Sequence, residues 1–407
     1  MRDADVVVIG GGAAGLSLAR RLTGPLVRNR RPLTVALVDA PPGALRPPPR
    51  TWCYWEAAGG EYDGVVHAEW GRLRVTGADG AAVVRDPGPL RYKMIRSVDF
   101  ERWADKELAR SGCLRYEAVV EDVRDVPGGA EVCGYDDGGA AVRLRARWVF
   151  DSRPPHGPGP ARTTLLQHFR GWFVRTSRPA FEPGVAHLMD FRVPQPRHGL
   201  AFGYVLPFGR REALVEYTEF SAEVLDDDAY DRALTLYAAE VLGLGDHEVT
   251  AVEQGVIAMT DARLPRRAGG SVFPIGVAGG TTRPATGYSF AAAQRQSRAI
   301  AAALAEGRTP LAPDPHGARS RAMDAVLLRA LDTGRVDGAA LFTGLFEKVP
   351  APRLLRFLDG RTNVLEDVAV GLRTPARPML RTAMELPFLP RRTAERRPVP
   401  AGRPPRP

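Results

Sequence analysis

The sequence predicts an α/β fold in two interleaved domains, followed by a helical C-terminal region. Three observations predict it. Val6-Val7-Val8-Ile9 is a short continuous apolar run, the mark of a parallel strand covered on both faces. Glycines follow at once and open a helical pattern. Strand patterns then dominate residues 160–265, before buried-strand character and a second glycine-rich turn return near residue 272.

Taken in order, Ala13 to Leu22 carries small and apolar residues at helical spacing. Leu33 to Val38 reads as a second strand ending at Asp39, so the first forty residues form a βαβ unit. Pro41 to Arg50 is too rich in proline for regular structure and leads as a loop into Thr51-Trp52-Cys53-Tyr54-Trp55. Residues 65–86 alternate as short strands around a hairpin turn at Gly77-Ala78-Asp79-Gly80. A helix is expected over Arg102 to Arg110, and strands over Val119 to Val123, Ala130 to Tyr135 and Val142 to Phe150. Gly199 to Pro207 and Glu212 to Thr218 read as strands of a sheet covering a substrate cavity, and Asp226 to Leu242 as an inserted helix. Val272 to Ala278 reads as a buried strand and Tyr288 to Leu304 as a helix. Amphipathic stretches follow at 319–331, 352–359 and 376–386. Arg391 to Pro407, rich in arginine and proline with almost no apolar residue, is expected to be disordered.

The expected organisation is therefore a discontinuous nucleotide-binding domain (1–60, 95–155 and 270–310) and a β-rich substrate domain (61–94 and 156–269). A helical region (311–390) and a polar tail (391–407) complete it.

Hydrophobic residues at 44% and charged residues at 25% suit a folded enzyme-sized domain pair. The net charge of +9 comes almost wholly from arginine, because Lys93, Lys106 and Lys348 are the only lysines among 56 basic residues. So complete a replacement points to coding bias, and no zinc-finger spacing or RNA-binding aromatic motif accompanies it. A nucleic-acid partner is not expected, whereas an anionic membrane surface is compatible. Cys53, Cys113 and Cys133 suggest neither a disulfide framework nor a metal site, in keeping with a reducing cytosol. The first strand leaves no room for a signal peptide, and no apolar run approaches ~20 residues. The expected location is the cytoplasm, with peripheral contact to the inner face of the cell membrane.

Gly10-Gly11-Gly12-Ala13-Ala14-Gly15 matches G-x-G-x-x-G between a strand and a helix, as dinucleotide binding requires. Gly10 permits the tight turn, Gly12 lets the backbone approach a pyrophosphate, and Gly15 lets helix and strand pack closely. Asp39 is placed to accept from the ribose hydroxyls. The pattern is that of a Rossmann-type domain. FAD rather than NAD is favoured by its extreme N-terminal position and by the second glycine-rich turn, Gly276 to Gly287. That turn includes Gly279, Gly280 and Pro284, and it would aim the partial positive charge of a helix N-terminus at a reduced flavin. Asp151, closing the Val149-Phe150 strand, either approaches the cofactor or makes an ordinary strand-end turn. Flavin hydroxylases resemble this layout, but they usually carry an acid where this sequence has Val277, which counts against a hydroxylase.

Several further segments resemble, in order, those of the lycopene cyclase family. They are Thr51-Trp52-Cys53, Tyr92 to Ser97, Asp151 to Pro154, Gln167 to Trp172, Met189-Asp190-Phe191, Tyr204 to Phe208, Glu216-Tyr217-Thr218 and Arg283 to Tyr288. The resemblance runs to about residue 360 and is nearest to the bacterial beta-cyclases. It implies a flavin hydroxylase-like architecture and a redox-neutral isomerase of carotenoid biosynthesis that needs reduced FAD, with NAD(P)H as reductant. The implied substrates are lycopene and monocyclic carotenoid intermediates. The family's catalytic acid lies in a Glu-x-Thr motif, which maps onto Glu216 and Thr218. The plant pattern has a second acid where Tyr217 stands here.

Ring closure requires an acid, an electron-rich wall and a dry cavity. Strand alternation puts Leu214, Glu216 and Thr218 on one face, where burial would keep the carboxyl protonated. Trp172, Phe202 or Tyr204 could face the cation. Asp190, a carboxylate in an apolar surround, is either a second acid or a structural hydrogen-bonding group. His168 reads as structural, and Trp52, Tyr54, Trp55 and Trp172 can equally be core. The arginine-rich tail and the amphipathic helices after Pro315 are the expected membrane contacts, with a merely solvated tail as the alternative. Three hypotheses follow: a cyclase, an FAD-dependent monooxygenase acting on an apolar substrate, and a non-catalytic flavoprotein that binds carotenoid.

Overall fold

The computed structural model describes residues 3–154, 157 and 159–393. Its strands in chain order are β1 (Ala4–Ile9), β2 (Val35–Asp39), β3 (Thr51–Ala57), β4 (Ala68–Trp70), β5 (Arg72–Thr76), β6 (Ala82–Arg85), β7 (Leu90–Arg96), β8 (Leu114–Glu117), β9 (Val119–Val126), β10 (Gly129–Tyr135), β11 (Ala141–Asp151), β12 (Thr164–Thr176), β13 (Val185–Asp190), β14 (Leu200–Pro207), β15 (Glu212–Ser221), β16 (His247–Thr260) and β17 (Val272–Pro274). Its helices are α1 (Ala13–Thr23), α2 (Pro25–Arg28), α3 (Ser97–Ala109), α4 (Asp227–Leu236), α5 (Phe290–Ala305), α6 (Ala318–Asp332), α7 (Gly338–Lys348), α8 (Ala351–Leu358), α9 (Val364–Gly371) and α10 (Ala376–Glu385).

β1 sits inside a mixed sheet, between β2 and β11 and parallel to both, with its apolar residues buried on both faces. Val6 and Val8 face a core shared with α1, α3 and α5, while Val7 and Ile9 face the opposite layer. β11 is long enough to serve two pairings. Its first half runs antiparallel to β10, and its second half runs parallel to β1 and β17.

The second sheet has the order β16-β12-β15-β14-β13-β5-β6 and is antiparallel except where β13 meets β5. Period-two alternation splits β15 between its faces. Ala213, Val215 and Tyr217 pack with Tyr230, Leu234 and Tyr237 of the inserted helical segment. Leu214 and Phe220 face the other side, towards a core closed by α6, α7, α8 and the small sheet β3-β7-β4. α4 starts where Asp226 accepts from the Ala229 amide at 2.7 Å, and a π turn over Tyr237–Val241 continues it.

β3 joins the two cores. Trp52 and Tyr54 pack with the core beside β1, α1 and α5, while Cys53 and Trp55, pointing the other way, pack with the core of the second sheet.

Several expectations are corrected. The strand expected over Val272 to Ala278 stops at Pro274, because Gly276 at φ +61° turns the chain, and Val277 is left 51% exposed. α7 and α9 were not expected, since only the stretches 319–331, 352–359 and 376–386 read as amphipathic. Arg391 and Arg392 are anchored rather than disordered. Arg391 donates to the Asp261 carbonyl at 2.9 Å, and Arg392 exchanges backbone hydrogen bonds with Ala161. The remaining tail from 394 lies outside the described residues.

Candidate functional site

At the end of β1, Gly10 takes φ +96°, and a Cβ there would collide with the Ser152 hydroxyl, which donates to the Ile9 carbonyl at 2.7 Å. A Cβ on Gly15 would collide with the Gly10 carbonyl, so only glycine lets α1 pack this close to the turn. Gly12, at the N-cap of α1, faces open space. Free N–H groups at that helix start are suited to a phosphate. Asp39, at the end of β2, accepts from the Gly11 amide at 2.8 Å and pairs with Arg46 at 3.2 Å. Asp151 stands in register with Ile9 at the same end of the sheet, but its carboxylate is engaged by Arg153 at 2.7 Å.

The second glycine turn lies against the first. A Cβ on Gly276 would come within 2.8 Å of Ala14 in α1. Gln296 of α5 fixes the turn, accepting from the Gly276 amide at 2.8 Å and donating to the Gly279 carbonyl at 3.3 Å. Gly280 and Gly287 both have positive φ, and a Cβ on Gly287 would collide with Gln167 of β12. Half-buried Pro284 follows Arg283, which pairs with Asp324 at 2.8 Å in the interior. The buried hydroxyls of Thr281, Thr282 and Thr286 and the Gln167 amide oxygen have no hydrogen-bond partner among the described residues. Buried polar atoms are ordinarily satisfied, so four orphans around one turn fit a bound polar group such as a dinucleotide cofactor.

On β12, Gln167 and Gly171 share a face, separated by roughly 13 Å of strand. Gly171 pairs with Glu216 of β15 on one side and with Glu253 of β16 on the other. A side chain at this position would crowd its neighbours. A Cβ on Gly171 would sit 2.8 Å from Leu214 Cδ1 and 3.4 Å from Glu216 Cβ. Glu216 is 7% exposed and accepts from Thr218 Oγ1 at 2.5 Å. Burial, reinforced by the Glu253 charge and opposed by the Thr218 hydrogen bond, pushes its carboxyl up to about 8. Burial likewise pushes Glu253 up to about 7, against the Thr51 hydroxyl that donates to it at 2.9 Å. Sequence reasoning missed Glu253, whose relation to Glu216 depends on the register of three strands.

The surroundings are phenolic. Tyr204, in register with Glu216 on β14, donates to Cys53 Sγ at 3.2 Å and shares a hydrogen bond with Tyr92 at 2.9 Å. Tyr92 meets Tyr288 at 2.8 Å, and Trp55 packs edge-on against Tyr288 with ring centroids 4.7 Å apart. Burial pushes the Cys53 thiol up to about 12 and the three phenols upward, so all stay neutral. Tyr288 is the residue after Gly287, so the glycine turn and the acid site are adjacent in the chain.

Two expected site residues lie elsewhere. Asp190 is fully buried on the opposite face of the sheet, where Arg192 binds it at 2.7 Å and the Tyr237 hydroxyl donates to it at 3.0 Å. Burial pushes its carboxyl up, but Arg192 and His187 outweigh this and hold it below the usual range. An ionised, paired carboxylate cannot act as an acid. Trp172 is also on that face, donating to Asp231 at 3.2 Å, whereas Phe202 and Tyr204 share the face of Glu216. His168 is structural as expected, held between Tyr230 at 2.6 Å and Ser221 at 2.8 Å.

No curated protein matches the chain in sequence. Among solved structures, it is similar to a geranylgeranyl bacteriochlorophyll reductase-like protein from Thermoplasma acidophilum, with 14% identity, 95% of this chain and 99% of that chain covered, and a TM-score of 0.62. A p-nitrophenol 4-monooxygenase from Pseudomonas putida gives 15% identity, 95% and 98% coverage and a TM-score of 0.60. A flavin-dependent brominase gives 13%, 88% and 93%, and 0.58. At such identities the likeness shows the fold alone, a Rossmann-type α/β fold shared with flavin-dependent enzymes. The family model described as lycopene cyclase protein matches residues 5–384. With nearly its whole length under that match, the chain belongs to the lycopene cyclase family.

Proposed function

We propose that the protein is a lycopene beta-cyclase, closing the ends of lycopene into beta-ionone rings to give gamma-carotene and then beta-carotene. The observation that carries this is Glu216, a buried carboxyl that keeps its proton near neutrality among tyrosines and a tryptophan. The turn at Gly10, Gly12 and Gly15, with Asp39, Gly279, Gly280, Pro284 and Gly287, would hold FAD, and the orphaned threonine hydroxyls would donate to it. Reduced FAD supplies an electron-rich ring that favours positive charge beside it, and NAD(P)H is its reductant.

Protonated Glu216 delivers its proton to the terminal alkene, creating a tertiary carbocation. The faces of Trp55, Tyr92 and Tyr288 favour that charge, and the apolar packing around them excludes water that would trap it. Neighbouring π-electrons close the ring, and a ring proton then leaves. That proton restores the Glu216–Glu253 pair to its starting charge, so substrate and product are isomers.

The test is oxygen-free incubation with lycopene in liposomes, NAD(P)H and deuterated water. One deuterium per ring and many rings per nicotinamide oxidised are expected. One nicotinamide consumed per product, with oxygen or extra hydrogen in it, would favour a monooxygenase or a reductase instead. Binding without product would leave a carotenoid-binding flavoprotein.

A further inference from the structure

The outer surface of the last two α-helices among the described residues is apolar where a soluble face should be polar. Leu365 and Val368 of α9 are 80% and 55% exposed, Leu372 in the connection 76%, Leu380 and Met384 of α10 62% and 68%, and Phe388 86%. Scattered exposed hydrophobics are unremarkable, but six within 24 residues need a partner.

The charges sort in the same way. All three acids of this stretch are tied to arginines of other segments: Glu366 to Arg356, Asp367 to Arg319, and Glu385 to Arg329 and Arg335. Arg373, Arg377 and Arg381 are exposed and have no acidic partner among the described residues. The surface thus combines bulky apolar side chains with positive charge only. A second copy related by a two-fold axis would set arginines against arginines. A bilayer with anionic headgroups satisfies both halves, taking the apolar groups at the acyl boundary and the guanidiniums at the phosphates.

The inner faces of the same helices cover the core beside the acid site. Val370 of α9 and Met379 of α10 belong to the cluster that includes Tyr92, Phe202 and Leu214. We propose that α9, α10 and the turn at Phe388 form the docking surface for an anionic phospholipid bilayer. The purpose of docking, withdrawal of a lipid-dissolved polyene, rests on the proposed function, but docking itself does not.

The experiment is flotation of the full-length protein with vesicles of phosphatidylcholine, alone or mixed with phosphatidylglycerol, at several salt concentrations. Binding to the mixed vesicles that weakens with salt is expected. The variant Leu365→Ser/Leu372→Ser/Phe388→Ser should bind about ten-fold or more weakly. Arg373→Gln/Arg377→Gln/Arg381→Gln should lose most preference for phosphatidylglycerol, about five-fold for each charge removed. These side chains are exposed, so both variants should fold, and an unchanged melting temperature checks it. Parent-like flotation of the serine variant overturns the proposal, as does loss of binding only when the chain is ended after Thr393. A parent dimer that the serine variant turns into a monomer, with no lipid binding by either, would assign the face to a second copy. Cyclisation in detergent micelles separates the two ideas, because docking variants should keep the parent rate there. Absence of cyclisation by every form would count against the function and leave the flotation result standing.

Discussion

Glu216 and Glu253 flank Gly171 on one face of the sheet, each in register with it on an adjacent strand. Two carboxyls so placed cannot both ionise without cost, and the one with Glu253 at its side is the more reluctant. Replacing Glu216 by glutamine preserves shape and removes the proton. Glu216→Gln should retain bound flavin and lose on the order of 10²–10⁴-fold in cyclisation rate. A parent-like rate in the purified variant would mean that another group is the acid.

With Glu216 as the acid of the proposed reaction, activity should be present below its ionisation and lost as pH rises through about 8. The Glu253 charge helps Glu216 hold its proton, and Glu253→Gln removes that charge. The alkaline limb of the pH–rate profile should then move towards lower pH. Stability follows the same sign. Both carboxyls are raised from 4.5 in the folded chain, so the fold is favoured below that value and loses stability progressively as pH rises from there, the loss being complete near 7 for Glu253 and near 8 for Glu216. Thermal melts of parent and Glu253→Gln across that window should converge at low pH and separate at high pH.

Gly171→Ala puts a methyl group against Leu214 and Glu216. Overpacking should cost about 1–3 kcal/mol, read as a lowered melting temperature, together with slower turnover.

Asp190→Asn tests the other face. Its partner Arg192 is about one-third exposed, so breaking the pair should cost less than a fully buried one, about 1–3 kcal/mol. The folded fraction should keep the parent pH–rate profile. A selective loss of chemistry at unchanged stability would return Asp190 to the site.

Gly15→Ala would drive a methyl group into the Gly10 carbonyl. The purified variant should carry much less flavin per chain by absorbance, and full occupancy would argue against this turn as the cofactor site.

Local patterns were legible in the sequence where one strand or helix decides the outcome. The βαβ start and the face of β15 bearing Leu214, Glu216 and Thr218 follow from period and glycine placement alone. Asp190 escaped because a bulge between His187 and Asp190 breaks alternation in β13, and no single-strand pattern reveals which face a residue then takes. Glu253 escaped because β16 is an edge strand whose exposed valines hide its inward face. α9 carried a readable signal, the capping box of Asn363 and Glu366, in a stretch too short for its apolar period to stand out.

β3 sends Trp52 and Tyr54 into one core and Cys53 and Trp55 into the other. Neither hydrophobic assembly is finished until this seven-residue strand is in place, since each borrows two of its side chains. The two cores are therefore stitched by a shared seam rather than joined by a linker. Such a molecule should melt as one cooperative body, and loosening the seam should disturb the proposed dinucleotide turn and the burial of Glu216 together.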